Sequence, residues 1–361
     1  MLKIGSLLLA VNIMLSALTG CAPDDGSAIS DIIEGTYHST PAESGESSAE
    51  SGGEGQGGKY ALSNPDSTAE TQAVYDYINE IYKTKIISGQ QESTWMQGGA
   101  DYEMNYISDV TGKLPAIRGL DYMHMDFDGV NKRAVEWWEK GGIVTICWHC
   151  GPDFRGEWTN CMNEVINDWD AALTEGTPEY EKLIAGMDMG GKALQELRDA
   201  GVPVLWRPFH ELDGGWFWWS KGGADNFKKL WKIMYDRYTN YWGLNNLIWV
   251  YGYSHANPRS MEEWYVGDEY CDIVGADSYN KGANQSLYKA VNMLVEDRKP
   301  ICFHECGTIP TSKELTDHGA LWCFFMTWHT SYITDENNKD ALKSIYNDDY
   351  VITLDELPSF K

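Results

Sequence analysis

Basic residues are scarce: 28 lysines and arginines stand against 54 aspartates and glutamates in 361 residues, a net charge of −26. A chain this acidic repels phosphate backbones and anionic lipid surfaces, which excludes nucleic acid as a partner. Long apolar runs are missing as well. The stretch Ile4 to Leu18 falls short of the roughly 20 residues that a membrane-spanning helix needs. Several metal and nucleotide motifs begin and are not completed. Cys147-Trp148-His149-Cys150 is a C-x-x-C without a second one, and it straddles a strand end rather than opening a helix. His210-Glu211 starts like H-E-x-x-H, but Gly214 stands where the second zinc ligand belongs. The glycine-rich run Gly52 to Gly58 has no strand before it and no helix after it, so it is no phosphate loop. No metal and no cofactor are expected. Apart from Cys21 the cysteines number seven, an odd count; they are expected to be free thiols packed as small apolar groups.

Aromatic residues are plentiful, with 16 Trp and 21 Tyr. Aromatic faces stack on the C–H surfaces of sugar rings while carboxylates and amides take the hydroxyls, so a neutral, ring-shaped ligand suits this composition. Two glutamates give it chemistry. Glu211 ends the run Trp206-Arg207-Pro208-Phe209-His210-Glu211, and Glu305 lies in Pro300-Ile301-Cys302-Phe303-His304-Glu305-Cys306-Gly307. Each closes a short apolar segment that leads into a loop. A glycosidase needs one carboxyl to protonate the leaving oxygen and a second to attack or to activate water, and the carboxyl ends of parallel strands face the active mouth of a barrel.

The chain divides into three parts. Residues 1–20 carry Lys3, the apolar stretch and Leu18-Thr19-Gly20, followed by Cys21; this resembles a bacterial lipoprotein signal peptide cleaved before a lipidated Cys21. Residues 21–60 are rich in Ser, Gly and Glu and poor in large apolar side chains, which makes them a flexible, lipid-anchored linker. Asp24-Asp25 resembles the surface-export signal of Bacteroidota lipoproteins. The anchor implies a place on the bacterial outer membrane, on its periplasmic or cell-surface side, for a protein that is held to the membrane without spanning it.

Residues 61–361 alternate between apolar strand candidates and helical patterns. The strands are placed at Ile86 to Gln90, Leu114 to Gly119, Ile143 to Trp148, Val202 to Pro208, Leu247 to Tyr251, Ile273 to Asp277, Pro300 to His304 and Leu321 to Thr327. Helices are placed at Asp225 to Tyr238 behind an aspartate cap, Tyr180 to Ala200 and Leu287 to Asp297. Eight buried strands alternating with amphipathic helices predict an α/β fold, a (β/α)8 TIM barrel, with Glu211 after strand four and Glu305 after strand seven.

The run from Arg207 to Trp219, together with His304 to Pro310, resembles glycoside hydrolase family 26, and the likeness extends from about Tyr60 to the C-terminus. The resemblance implies a β-mannanase that acts with retention, Glu211 as acid/base and Glu305 as nucleophile. In a retaining site the two carboxyls lie about 5–5.5 Å apart. It further implies sugar contacts from His149, from His210 beside the nucleophile, from Trp216 as a platform, from Tyr279 as the hydroxyl that orients Glu305, and from Trp328 as the floor where the bond breaks. Asp277 and Trp158 are further candidate contacts, whereas Phe217, Trp218 and Trp219 crowd together as core. The expected activity is endo-hydrolysis of β-1,4 bonds in mannan, glucomannan or galactomannan by a monomer. The alternatives are a mannobiose-releasing exo-enzyme, a mixed-linkage glucanase or β-1,3-xylanase on the same barrel, and a non-catalytic surface glycan-binding lipoprotein.

Overall fold

The computed structural model describes residues 61–255 and 257–361. The signal, the linker and the lipidation residue Cys21 lie outside the described residues. Eight parallel strands close a barrel in sequence order: β1 (Gly89–Gln91), β2 (Ile117–Asp121), β3 (Ile143–Cys147), β4 (Val204–Trp206), β5 (Leu247–Tyr253), β6 (Ile273–Ser278), β7 (Ile301–Cys306) and β8 (Phe325–Thr327). Closure runs through Gln90 of β1 against Thr327 of β8. The strands are almost wholly buried because helices cover the outside and side chains fill the inside; all seven residues of β5 are buried.

All eight expected strands are present, with shifted ends. The first expected segment divides. Ile86–Ile87 pairs instead with Val351–Ile352 in a two-stranded sheet beneath the barrel, and β1 proper begins at Gly89. A side chain at Gly89 would meet the Phe325 carbonyl at 2.5 Å, so only glycine lets β1 approach β8 this closely.

The helix expected from Asp225 spans Ala224–Asp236, with Gly223 at its cap position and Asp225 inside its first turn. Asp225 therefore complements the helix dipole rather than capping the helix. The apolar stripe is as expected, with Phe227, Leu230, Trp231, Met234, Tyr235 and Tyr238 all buried against the strands. The neighbouring helix, Pro178–Asp199, starts two residues before its expected position because Thr177 accepts a hydrogen bond from the Tyr180 N–H and Pro178 occupies the first turn. Gln285–Val295 fills the third expected position. Among the described residues no helix is long and apolar enough to cross a membrane.

Candidate active site

The residues singled out in the sequence converge at the carboxyl ends of the strands. Tyr279 and Trp328 directly follow β6 and β8, His149 comes two residues after β3, and Asp277 is the penultimate residue of β6. Glu305 lies inside β7 rather than beyond it, and a bulge explains why. Opposite β6 the pairing steps from Ala276–Phe303 to Asp277–Glu305, which leaves His304 as an extra residue. Strict alternation would send His304 and Glu305 to opposite faces. The bulge turns both inward, and both reach the same Arg207 guanidinium.

Glu211 is on the loop after β4, where Phe209 and Glu211 adopt positive φ angles of 49° and 51°. Such backbone costs about 1–3 kcal/mol per residue and persists only where packing enforces it. Here it is enforced. Phe209 is wedged against Trp218 and Trp219, the Trp219 indole donates to the His210 carbonyl at 2.9 Å, and that of Trp218 donates to the Cys150 carbonyl at 2.8 Å. The cluster of Phe217, Trp218 and Trp219 is core, as expected, and it clamps the loop that carries Glu211.

The two glutamates have different surroundings. Glu305, 2% exposed, accepts from Arg207 Nη1 at 2.7 Å on Oε1 and from the Tyr279 hydroxyl at 2.8 Å on Oε2. Arg207 is always charged, so one Glu305 oxygen faces a buried cation. Tyr279 is 40% exposed, but its hydroxyl end is desolvated beside Glu305 and Glu211, which keeps the phenol far from ionising, so it remains a donor. Glu211 is pushed up to about 7, first by burial and then by the negative charge of Glu305, against a 2.7 Å hydrogen bond from the Trp216 indole that favours its anion. At neutral pH roughly half of the molecules therefore carry a proton on Glu211, beside a Glu305 that is paired with Arg207.

Two aspartate–histidine pairs flank this centre, each with a 2.6 Å contact, and they differ in charge. Burial, Glu305 and Glu211 drive Asp277 well above the carboxylate range, while burial and Arg207 drive His304 well below the imidazole range. Both shifts favour the neutral forms across their contact. Asp121 is lowered in spite of its burial because His149 and two backbone N–H groups favour its anion, and His149 is raised in spite of burial by Asp121. That contact has the character of an ion pair. Asp121, Cys147 and His149 form one cluster of potential metal-ligand atoms, and Asp277, His304 and Glu305 form another. In the first, Asp121 faces His149 Nδ1; in the second, Asp277 faces His304 Nδ1 and Glu305 accepts from Arg207 and Tyr279.

Beside the centre, on the side of β1 to β3, a cavity of about 560 Å³ is lined by Gln91, Trp95, Asp121, His149, Trp158 and Trp328 among others. Trp158 is 41% exposed on its wall. Trp216 lies apart from this cavity, next to Glu211. Asp277 is buried, with its Oδ2 lacking a protein partner. His210 is buried between His149 and Glu305, 3.1 Å from His149 Nε2 and 3.7 Å from Glu305 Oε1.

Three participants escaped the sequence reading: Arg207, Gln91, whose Oε1 accepts from Arg207 at 3.1 Å, and Asp121. An arginine at the end of an apolar strand was itself a signal, since a buried guanidinium needs an acid. The seven described cysteines are free, buried thiols, as expected.

Residues 63–356 match the sequence profile of glycosyl hydrolase family 26. The chain is 35% identical over 324 residues to a mannan endo-1,4-beta-mannosidase of Thermothelomyces thermophilus, a match covering 83% of this chain and 64% of that protein. It is 34% identical over 316 residues to mannan endo-1,4-beta-mannosidase B of Piromyces, covering 83% of this chain and 54% of that protein. The chain thus spans between half and two thirds of the length of these relatives. The crystal structure of a ruminal GH26 endo-beta-1,4-mannanase superposes with a TM-score of 0.77 at 35% identity, covering 83% of this chain and 71% of that one. A beta-mannanase from a symbiotic protist of the termite Reticulitermes speratus, complexed with gluco-manno-oligosaccharide, gives a TM-score of 0.74 at 32% identity, covering 83% and 98%. By the extent of the profile match and by these identities, the chain belongs to glycosyl hydrolase family 26.

Proposed function

We propose that the chain is a retaining endo-β-1,4-mannanase in which Glu305 attacks and Glu211 transfers the proton. The observation that carries this reading is the difference in surroundings: Glu211 is pushed up to about 7 by burial and by its neighbour, while Glu305 accepts from the Arg207 guanidinium and the Tyr279 hydroxyl. In the first step a Glu305 oxygen bonds to the anomeric carbon, the bond to the leaving oxygen breaks, and the Glu211 proton goes to that oxygen. Forming the glycosyl ester consumes the charge of Glu305, one of the two causes that hold Glu211 up. Glu211, left as its anion, then takes a proton from a water as that water's oxygen bonds to the same carbon on the face opposite Glu305; the ester bond to Glu305 breaks, which restores its carboxylate and leaves Glu211 protonated again. Two inversions give net retention.

The sugar assignment is supported by the mannanase activity named for relatives that share four fifths of this chain. His149, His210, Trp216, Tyr279, Trp328, Trp158 and Asp277 are the proposed sugar-binding set, with Trp216 beside the acid on the leaving-group side. Anchoring through a lipidated Cys21 on the outer membrane is supported by Lys3, the short apolar stretch and Leu18-Thr19-Gly20 before that cysteine. Substitution of Cys21 by serine should release the protein from membranes; retention of the Cys21→Ser chain in the membrane fraction would refute the anchor.

Sizing the products released over time from mannan, mixed-linkage β-glucan and β-1,3-xylan tests sugar, linkage and mode together. Mixed mannooligosaccharides appearing early are expected. Mannobiose alone from the outset would make the enzyme exo-acting, and release only from glucan or xylan would reassign the sugar. Binding of mannan with no release from any polysaccharide would remove the enzymatic reading.

A further inference from the structure

His149 and His210, both expected to meet the sugar, also meet each other: their Nε2 atoms are 3.1 Å apart and the rings are edge-on, with centroids 4.6 Å apart. A contact between two ring nitrogens needs one donor and one acceptor. The choice between them is made on the far side of His149. Asp121 Oδ1 accepts from the backbone N–H groups of His149 at 3.0 Å and Met123 at 2.9 Å, and Asp121 Oδ2 lies 2.6 Å from His149 Nδ1. An ionised carboxylate only accepts, so His149 carries a proton on Nδ1 whether the ring is neutral or cationic.

Two states follow. With His149 neutral, that proton is its only one, its Nε2 is a lone pair, and His210 must donate from Nε2. The same His210 nitrogen lies 3.7 Å from Glu305 Oε1, so the donor sits beside the carboxylate. With His149 cationic, its Nε2–H donates and His210 Nε2 becomes the acceptor. The single proton of a neutral His210 then moves to Nδ1, which is buried without a protein partner, and a lone pair stands beside Glu305.

We propose that Asp121 is a positioning residue which, by fixing the proton on His149 Nδ1, couples the tautomers of the two histidines, so that protonating His149 turns the His210 nitrogen beside Glu305 from donor to acceptor. The proposal rests on the reading of Glu305 as nucleophile. The titratable and charged groups around the pair come from six places in the barrel. They are Asp121 on β2, Cys147 on β3, Arg207 and Glu211 after β4, Asp277 on β6, His304 and Glu305 on β7, and His329 after β8. Burial resists a charge on His149, but Asp121 and Glu305 outweigh it, so the ring titrates above the ordinary imidazole value. His210 stays neutral because burial and the neighbouring His149, Arg207 and His304 all oppose its charge. The switch therefore sets in above the ordinary imidazole value and removes activity as the pH falls.

The test uses the full chain with 15N-labelled histidine. Long-range 1H–15N correlation spectra from pH 5 to 9 report the protonated nitrogen of each ring. The wild type should show His210 protonated on Nε2 at the alkaline end and on Nδ1 at the acid end, with a midpoint equal to that of His149. Asp121→Asn keeps an acceptor for Nδ1–H but removes the charge. It should lower the His149 midpoint and carry the acid limb of kcat/KM toward lower pH by about one unit. A His210 that keeps one tautomer while His149 titrates would overturn the proposal, and so would an acid limb that stays put while the His149 midpoint falls. If Asp121→Asn does not fold, the wild-type spectra still decide. A wild type that hydrolyses no glycan would defeat the mannanase reading and leave the tautomer result readable on its own.

Discussion

Replacing Trp216 by phenylalanine deletes one hydrogen bond, the 2.7 Å donation from the indole to Glu211 Oε2, and keeps an aromatic ring in place. That bond favours the Glu211 anion and is the first influence opposing the upward push of burial and of Glu305. A hydrogen bond to a charged group contributes on the order of 1.5 kcal/mol, about one pKa unit. Starting from about 7, roughly one Glu211 in ten is protonated at pH 8. After a rise of about one unit, roughly half are protonated at that pH. Since only the protonated form can deliver the proton, the ratio of kcat/KM at pH 8 to that at pH 6 should rise about fivefold in Trp216→Phe. Absolute kcat/KM should fall at pH 6, because phenylalanine offers sugar a smaller face. The assay is a pH profile of kcat/KM on a soluble mannooligosaccharide. An alkaline limb that does not move, or moves to lower pH, would refute the claim that the indole tunes the acid.

Three further outcomes are expected. Glu305→Ala should abolish turnover on every substrate, and appreciable residual activity in a purified sample would dismiss it as nucleophile. Glu211→Gln should be more stable than wild type above pH 7, with the advantage vanishing near pH 4, as followed by thermal unfolding at both pH values. Because the folded-state pKa of Glu211 is raised, the wild type is favoured while the group is protonated and loses stability as pH rises from the usual carboxylate range through about 7, by at most ~3 kcal/mol; a wild type equal in stability to the variant at pH 8 would contradict the burial argument. Arg207→Met strands the Glu305 carboxylate in a buried site and should cost ~3–5 kcal/mol in chemical denaturation, together with most of the activity. Unchanged stability would mean that Glu305 does not depend on its cation.

What could be read from the sequence depended on how local the signal was. Most barrel strands stood out because strands covered on both faces carry apolar runs, whereas β1, Gly-Gln-Gln, was reached only through the apolar Ile86–Ile87 just before it; the helix over Ala224–Asp236 stood out because its buried face repeats at three- and four-residue steps. Their ends did not, since they are set by partners remote in sequence: Val351–Ile352 takes Ile86–Ile87 away from the barrel. Glu211 and Glu305 were legible as acids closing apolar segments. The bulge at His304 was invisible, because alternation along β7 says nothing of a register shift against β6. Asp121 could have been found by the rule that found the glutamates, for it too is an acid at the end of an apolar strand. It passed unremarked because its meaning lies in His149, 28 residues away.

On the proposed mechanism Glu305 and Glu211 act in turn on the same carbon, and stereochemistry reports on this most directly. Proton NMR of the anomeric region, recorded in the first minutes of hydrolysis of a mannooligosaccharide by the full chain, shows which anomer appears before mutarotation. The β-anomer should appear first, as two displacements require. If the α-anomer appears first, water rather than Glu305 attacks the sugar, and the assignment of the nucleophile is wrong.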